Sequence, residues 1–342
     1  MSLFELRGSL SPRLRLVLGI AGVLFVLGVW HLVTAGQSPM VPTGILPRPM
    51  DVFFSFGELY RDNDLIRNLG RSLSLNLAGY VEAILIALFV GFLVGLIPLF
   101  RGSFQRQVDA FRYVPLTAVT GLFIIWFGLG TGMKVHFLAF GILIYLLPVV
   151  VQRIDDVEDV YLKTVYTLGA TSWQTIRTVY IPSVLSRISD DIRVLTAISW
   201  TYIIIAESLG NQGGIGALIW RTGQRQGRVD KVFALLLIII LIGIVQDKLF
   251  SAMDRELFPH KYQVKDSHGK VSAEASAWAA IWKFVRTILF WLGMGIYFLL
   301  FLIEVLPLFS GEGLLSYLFG ETAIVLHLLF FTILAYHLNK LW

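Results

Sequence analysis

The sequence predicts an all-α protein that crosses a membrane several times. Of its 342 residues 56% are hydrophobic and 15% charged, where a soluble domain has about 45–50% apolar and about 25% charged residues. Mean hydropathy is +0.74. The apolar residues also gather into runs near the roughly 20 residues that a helix needs to cross a hydrocarbon core of about 30 Å. Eight such runs follow one another, near 14–34, 74–99, 113–129, 134–151, 190–207, 232–250, 279–303 and 313–338.

The first run, "LVLGIAGVLFVLGVWHLV", is longer than a signal-peptide core of roughly 7–15 residues and lacks a clear small-residue cleavage site, so it is expected to be a retained helix. The second carries Ala87, Gly91 and Gly95 at intervals of four, a small-residue face suited to close helix contact. Glu82 lies inside the same run, and an intramembrane carboxylate either pairs with a neighbouring helix or belongs to a transport pathway. The third and fourth runs are separated only by "GLGTGMK", and the third contains Pro115. Trp126, Phe127, Trp200 and Tyr202 flank the expected pathway, as packing residues or as stacking partners for a solute.

The fifth run ends on Glu207, just before "GNQGGIG". A carboxylate there can accept hydrogen bonds from backbone amides of the loop and hold a gate region in shape. Arg221, Arg225 and Arg228 follow at spacings of four and three, so a helix through "LIWRTGQRQGR" would present them on one side. Such a patch either attracts an anion or an acidic protein face, or is a solvated surface. The last two runs follow a polar linker, and their Glu312, Glu321, His327 and His337 are isolated and expected to be structural.

Several chemistries are excluded. There are no cysteines, the six histidines lack ligand spacing, and neither G-x-x-x-x-G-K-[ST], H-E-x-x-H nor G-x-S-x-G occurs. The chain is therefore expected to hold no metal, cofactor or nucleic acid and to catalyse nothing by itself. Most of its 28 Lys and Arg fall in tails and loops on one side if the N-terminus is cytoplasmic, which also puts the C-terminus in the cytoplasm.

In that orientation residues 152–189 form a cytoplasmic loop. It is too charged for lipid, yet patterned: Val157, Val160, Tyr161, Val165 and Leu168 recur at helical spacing. Gly169 offers a stop or tight turn, and Ile176, Val179 and Tyr180 continue an apolar face until Pro182 ends it. Two short helices around a glycine, over 159–182, are expected. They would serve as a surface connector or as a helical knob that docks in a partner's groove.

Gly169, nine residues and then Val179-Tyr180-Ile181-Pro182 is similar to the G-x9-[IV]-x-[LI]-P core of the "EAA" loop, through which permeases of ABC importers contact their ATPase subunits. "ILPRPMDVFFSFGEL", "RYVPLTAVTGLFIIWFGLGTGMKV" and "AESLGNQGGIGALI" followed by "DKVFALLLIIILIGIVQDKLF" resemble, in family order, segments of permeases of the nitrate/sulfonate/taurine/bicarbonate group. The resemblance covers residues 45–258. It implies a type I ABC importer fold with six core spans plus two, in a bacterial inner membrane. It also implies a partner ATPase that binds ATP and Mg2+, a second permease subunit, identical or different, and a periplasmic or lipid-anchored solute-binding protein. The solute would be a small anion such as a sulfonate, nitrate or bicarbonate, although related permeases carry thiamin-precursor pyrimidines.

By the same resemblance the coupling loop would use Glu158, Asp159, Lys163, Leu168, Gly169, Ala170, Thr171, Val179 and Pro182, and Glu207 matches an acidic residue near the outer mouth. The pattern departs from the family at Lys163-Thr164-Val165, where the family has Glu-Ala-Ala, which admits the alternative of a non-transporting scaffold beside a second permease. A secondary transporter ranks behind both, as no pair of discontinuous helices or inverted repeat is evident. The expected divisions are 1–73 (tail, first span, outer segment), 74–258 (core), 259–278 (linker) and 279–342 (two added helices). The added helices are expected on the lipid-facing side of the core, so that a chain ending near Lys265 would keep its coupling.

Overall fold

The computed structural model describes residues 10–36, 38–209, 213–262, 277–306 and 313–341, and every regular element among them is helical. In chain order these are α1 Pro12–Thr34, α2 Pro49–Asp62, α3 Leu65–Leu96, α4 Pro98–Phe111, α5 Leu116–Phe127, α6 Thr131–Asp155, α7 Asp159–Thr167, α8 Ser172–Thr175, α9 Ile181–Ser208, α10 Ile215–Trp220, α11 Val229–Leu257, α12 Ala277–Val305, α13 Leu314–Phe319 and α14 Ala323–Leu341. They fall into two compact units, one formed by the segment up to Leu65 with Ile219–Ile238, the other by Ile66–Leu218 with Ile239–Trp342.

In the first unit α1 is apolar on every side from Leu16 to Val29, and its large side chains there lie exposed, as suits a helix solvated by lipid. Ser11 caps it, accepting from the Leu14 amide at 3.3 Å, and Pro12 occupies the first turn, where a missing N–H costs nothing. The Trp30 indole donates to the Pro47 carbonyl at 2.8 Å and ties down the following loop. α2 is an addition to the sequence reading, which had no helix between the first two spans. It is amphipathic, with Val52, Ser55 and Leu59 buried and Phe53, Phe54 and Tyr60 exposed.

The second unit is built on α3 and α6. Gly79, Gly91 and Gly95 of α3 face Leu138, Val150 and Ile154 of α6, in the same order along both helices, so the two run parallel in close contact. A Cβ at these glycines would come within 2.7, 2.5 and 2.6 Å of the facing side chains, which is why the small-residue series is there. α9 packs along α6 and against the second half of α11, where Arg193 pairs with Asp247 at 2.5 and 2.8 Å and the Trp200 indole donates to Gln246 at 2.7 Å. One apolar cluster gathers Leu116 and Phe123 of α5, Met133 and Phe137 of α6 and Ala206 of α9.

Among the described residues six helical stretches have the length and hydropathy to cross a membrane: Arg13–Thr34, Leu65–Leu96, Thr131–Asp155, Val229–Leu257, Val285–Val305 and Leu314–Lys340. Two of the eight expected runs differ. The third is no span by itself: α5 has 12 residues, about 18 Å, between Pro115 at its N-cap and Gly128 (φ +72°), and it meets α4 at 108°. The fifth lies inside α9, which at 28 residues is long enough but carries Arg187, Asp190, Asp191 and Arg193 in its first half. The second run begins earlier than its hydropathy indicates, and the eighth is broken at Gly320 (φ +65°) between α13 and α14. Most of the polar linker and of the turn at 304–313 lies outside the described residues.

The C-terminal helices are seated on the second unit. Ser74 of α3 donates to the Phe319 carbonyl at 2.9 Å and lies 2.6 Å from the Thr322 hydroxyl, and the Arg67 guanidinium covers the Tyr317 ring at 4.3 Å. At the other end of α14, Lys340 and His337 approach Glu256 of α11 at 3.3 and 3.5 Å.

Candidate functional site

Two places in the second unit concentrate structure that lipid packing does not require. The first is the elbow at 159–182. α7 ends in a pair of backbone hydrogen bonds, from the Gly169 amide to the Tyr166 carbonyl and from the Ala170 amide to the Val165 carbonyl, each 3.0 Å. This Schellman closure needs a left-handed residue at its centre, and Gly169 has φ +77°. Thr171 starts the next helix through a reciprocal cap: its amide donates to Gln174 Oε1 at 2.8 Å and its hydroxyl accepts from the Gln174 amide at 3.4 Å. The bend is thus written into Gly169, Ala170, Thr171 and Gln174.

The expectation that Pro182 ends the second helix is corrected. α8 passes through a wide π turn at Ile176–Tyr180 into α9, with the Ile181 amide bonded to the Ile176 carbonyl five residues back. Pro182 sits in the first turn of α9; the widened turn accommodates a residue with no N–H and a ring that would press on the carbonyl four before it.

The elbow is held at its base and bare at its tip. Arg153 grips Asp191 of α9 through two 2.8 Å bonds and Asp156 at 3.0 Å, Arg187 donates to the Asp156 carbonyl at 2.8 Å, and Arg101 of α4 pairs with Asp155. Val157 and Val179 are buried at the base. Val160, Tyr161, Tyr166, Leu168 and Trp173 are exposed, Leu168 to 81%. Glu158 and Asp159 begin α7, and Lys163, where the family has an acid, stands 3.9 Å from Asp159 on the exposed face.

The second place is at the opposite end of α9. Glu207 is 2% exposed. Its carboxylate accepts from the Ser72 hydroxyl at 2.6 Å and from the Gly216 amide at 2.8 Å. Ser72 accepts in turn from the Ile215 amide, and Asn68 Oδ1 from the Gly214 amide, both at 2.8 Å. Gly213 and Gly214 take φ of +85° and +104°, which turns the Gly214 and Ile215 amides toward α3 and the Gly216 amide toward Glu207. Glu207 therefore accepts from an amide of the glycine loop, the kind of bond the sequence suggested, and also ties that loop to α3, which the sequence did not indicate. Asn68, Ser72 and Asn76, at intervals of four, form the receiving stripe; Asn76 donates to Ser199 at 3.1 Å. Sequence reasoning missed this stripe and also Lys134, a lysine 2% exposed in the first turn of α6 that interacts with Glu207, Arg71 and Glu321. The regular spacing of 68, 72 and 76 was the available signal.

The remaining candidates do not converge on one pathway. Glu82 pairs with His136 of α6 at 2.8 Å, and the His136 ring lies tilted against Phe127 with centroids 4.6 Å apart. Tyr202 packs on the apolar cluster, while Trp126 touches it through Phe123 and is otherwise exposed. The expected basic patch divides, because the helical turn ends at Arg225 and Gly227 (φ +65°) reverses the chain. Arg221 and Arg225 stay exposed, whereas Arg228 pairs with Glu58 at 2.8 Å and Asp230 at 2.7 Å. Bonds from Arg228 and Lys231 hold the Glu58 carboxyl below its ordinary value, against a smaller opposing effect of burial.

A family model for the inner membrane component of binding-protein-dependent transport systems matches residues 83–258, just over half of the chain. The chain belongs to that family. This permease is 26% identical over 264 residues to the taurine transport system permease of Escherichia coli K12, covering 76% of this chain and 94% of that protein. It is 27% identical over 235 residues to a Bacillus subtilis 168 protein named as an aliphatic sulfonates transport permease, covering 68% and 83%. A formylaminopyrimidine transport permease of Halalkalibacterium halodurans is 25% identical over 223 residues, covering 63% and 85%. In fold the permease is similar to a chain of the MetNI methionine ABC transporter in inward-facing conformations, at TM-score 0.51 and 18% identity, over 56% of this chain and 95% of that one. It is thus a multi-pass transport subunit of an ABC importer, with the type I fold. The matched stretch contains the elbow, all of α9 and Glu207; α1, α2 and the helices after Phe258 lie outside it.

Proposed function

We propose that this permease moves a small anion, a sulfonate first among them, across a bacterial inner membrane, driven by an ATPase that docks on the α7–α8 elbow. The observation that carries the proposal is the elbow itself: a capped bend, anchored at its base by Arg153, that presents Val160, Tyr161, Tyr166, Leu168 and Trp173 to solvent. Burying such side chains is worth about 1.5–3 kcal/mol each, so this surface is built to be covered. ATP and Mg2+ belong to the ATPase, and solute arrives on a binding protein at the Glu207 end. A second permease subunit completes the pathway, both termini of this chain lie in the cytoplasm, and lipid covers the rest. The sulfonate and taurine permeases among its relatives support the solute class, and the exposed Arg221 and Arg225 supply attraction for an anion or an acidic protein face.

The test is co-purification with a candidate ATPase subunit from the same organism, followed by ATP hydrolysis in liposomes with the binding protein and taurine. Leu168→Asp with Trp173→Asp should abolish co-purification; a doubly substituted chain that still binds the ATPase normally overturns the docking assignment. A second reading is favoured by Lys163, which places a cation where the family has a carboxylate: a scaffold beside another permease. Its mark is a complex that assembles and hydrolyses ATP with no response to any solute.

A further inference from the structure

The first turns of α3 are held from two sides. Asn68, Ser72 and Asn76 face the glycine loop and α9. Arg67, Gly70 and Ser74 face the C-terminal helices: a Cβ at Gly70 would come within 2.7 Å of the Leu318 carbonyl oxygen, and Ser74, fully buried, bonds the Phe319 carbonyl and the Thr322 hydroxyl. Ser72 and Ser74 are separated by about 3 Å along the helix axis. The residue that receives Glu207 and the residue that receives the extension therefore belong to one turn.

Charge gives an independent link. Lys134 lies in the combined field of Glu207, Arg71 and Glu321. Glu321, from the turn between α13 and α14, acts on this almost wholly buried lysine together with Glu207.

We infer that the C-terminal extension is a clamp that positions α3 for the glycine loop, with Ser74 and Thr322 as its positioning pair. α3 can bond Gly214 and Ile215, and through Ser72 the Glu207 that holds Gly216, only while its own first turns are fixed, and on the side away from the loop the extension fixes them. The extension is then part of the loop's support, and a chain ending near Lys265 carries a loosened loop rather than an unaltered one.

The test is amide hydrogen exchange of the full chain in lipid nanodiscs, read at Gly214, Ile215 and Gly216, so it requires neither ATPase nor solute. Losing one buried hydroxyl bond eases opening roughly two- to tenfold. Thr322→Val and Ser74→Ala should each speed exchange by that factor, and Thr322→Ser, which keeps the hydroxyl, should restore the native rate. Native rates in both deletion variants, or a Thr322→Ser rate equal to that of Thr322→Val, overturn the clamp. Should either variant release the extension altogether, seen as fast exchange through Leu314–Phe319, the loop must loosen with it; a released extension over an unchanged loop overturns the inference equally.

Discussion

Gly169 allows the elbow to be tested with almost no change in contacts. Nothing lies within 4 Å of the position a Cβ would take there, so a side chain meets no clash and the whole effect comes from φ +77°. An L-residue with a Cβ pays about 1–2 kcal/mol to hold a left-handed conformation, which lowers the population of the bent elbow relative to unstrained alternatives by about 5- to 30-fold. If docking requires the bend, apparent affinity for the ATPase falls by the same factor, because only the competent fraction binds. Gly169→Ala should therefore weaken ATPase binding about 5- to 30-fold, measured by titrating the ATPase onto nanodisc-held permease. Gly169→Asn, which tolerates left-handed backbone better, should lose distinctly less. Expression and insertion should not change. Equal affinity for the wild type, the Ala and the Asn variants would refute the reasoning, and so would a larger loss for Asn than for Ala.

Glu207→Gln keeps the shape but turns an amide NH2 toward groups that already donate; losing one charge-assisted bond costs about 1.5–3 kcal/mol. The unfolding midpoint in detergent should fall by several degrees, and an unchanged midpoint would deny the carboxylate its pinning role. Gly91→Leu drives a side chain into Val150, which is fully buried and stiff at χ1; overpacking of about 1–3 kcal/mol exceeds the roughly 1 kcal/mol gained in helix preference. The yield of folded protein should drop, and normal yield would mean that α3 and α6 separate freely. Glu58 sets a pH dependence in the first unit. Its carboxyl is held below the ordinary value of 4.5 by Arg228 and Lys231, so its contribution is complete above that value and is lost as pH falls through the lowered one. Arg228→Ala, which leaves Lys231 on Glu58, should weaken this acid sensitivity in thermal melts, and an unchanged profile below pH 4.5 would count against the ion-pair group.

The positions of most membrane helices were legible because lipid imposes a length and a composition that apolar runs display directly. What hydropathy misplaced has local causes. α3 starts at Leu65, but Asn68, Ser72 and Asn76 make its first turns look like a loop, since their partners come from residues 199–216, far along the chain. α5 looked like a span because its 12 residues continue into "GLG", and only the left-handed Gly128 and the bend before Leu116 cut it short. The elbow was readable from Gly169, while the passage through Pro182 was not, because a π turn leaves no compositional trace. Arg221, Arg225 and Arg228 shared a face only if the helix continued, and Gly227 ended it. Glu207 was found from its neighbours in sequence; Lys134 and Ser72 come to it only through the fold.

The helical passage across Pro182 changes how motion travels. A helix that stopped there would leave a slack joint between docking surface and membrane. Instead α9 is one rod of 28 residues, about 42 Å, with the elbow at its foot and Glu207 at its head. Its lower half is braced by Arg153 from α6 and by Asp247 and Asp254 from α11. Between Trp173 and the glycine loop the helical path is continuous, its regular turns interrupted by the wide turn at Ile176–Tyr180. If an ATPase docks on the elbow as proposed, its movement would reach the glycine loop through this single helix and the five-residue wide turn at its foot.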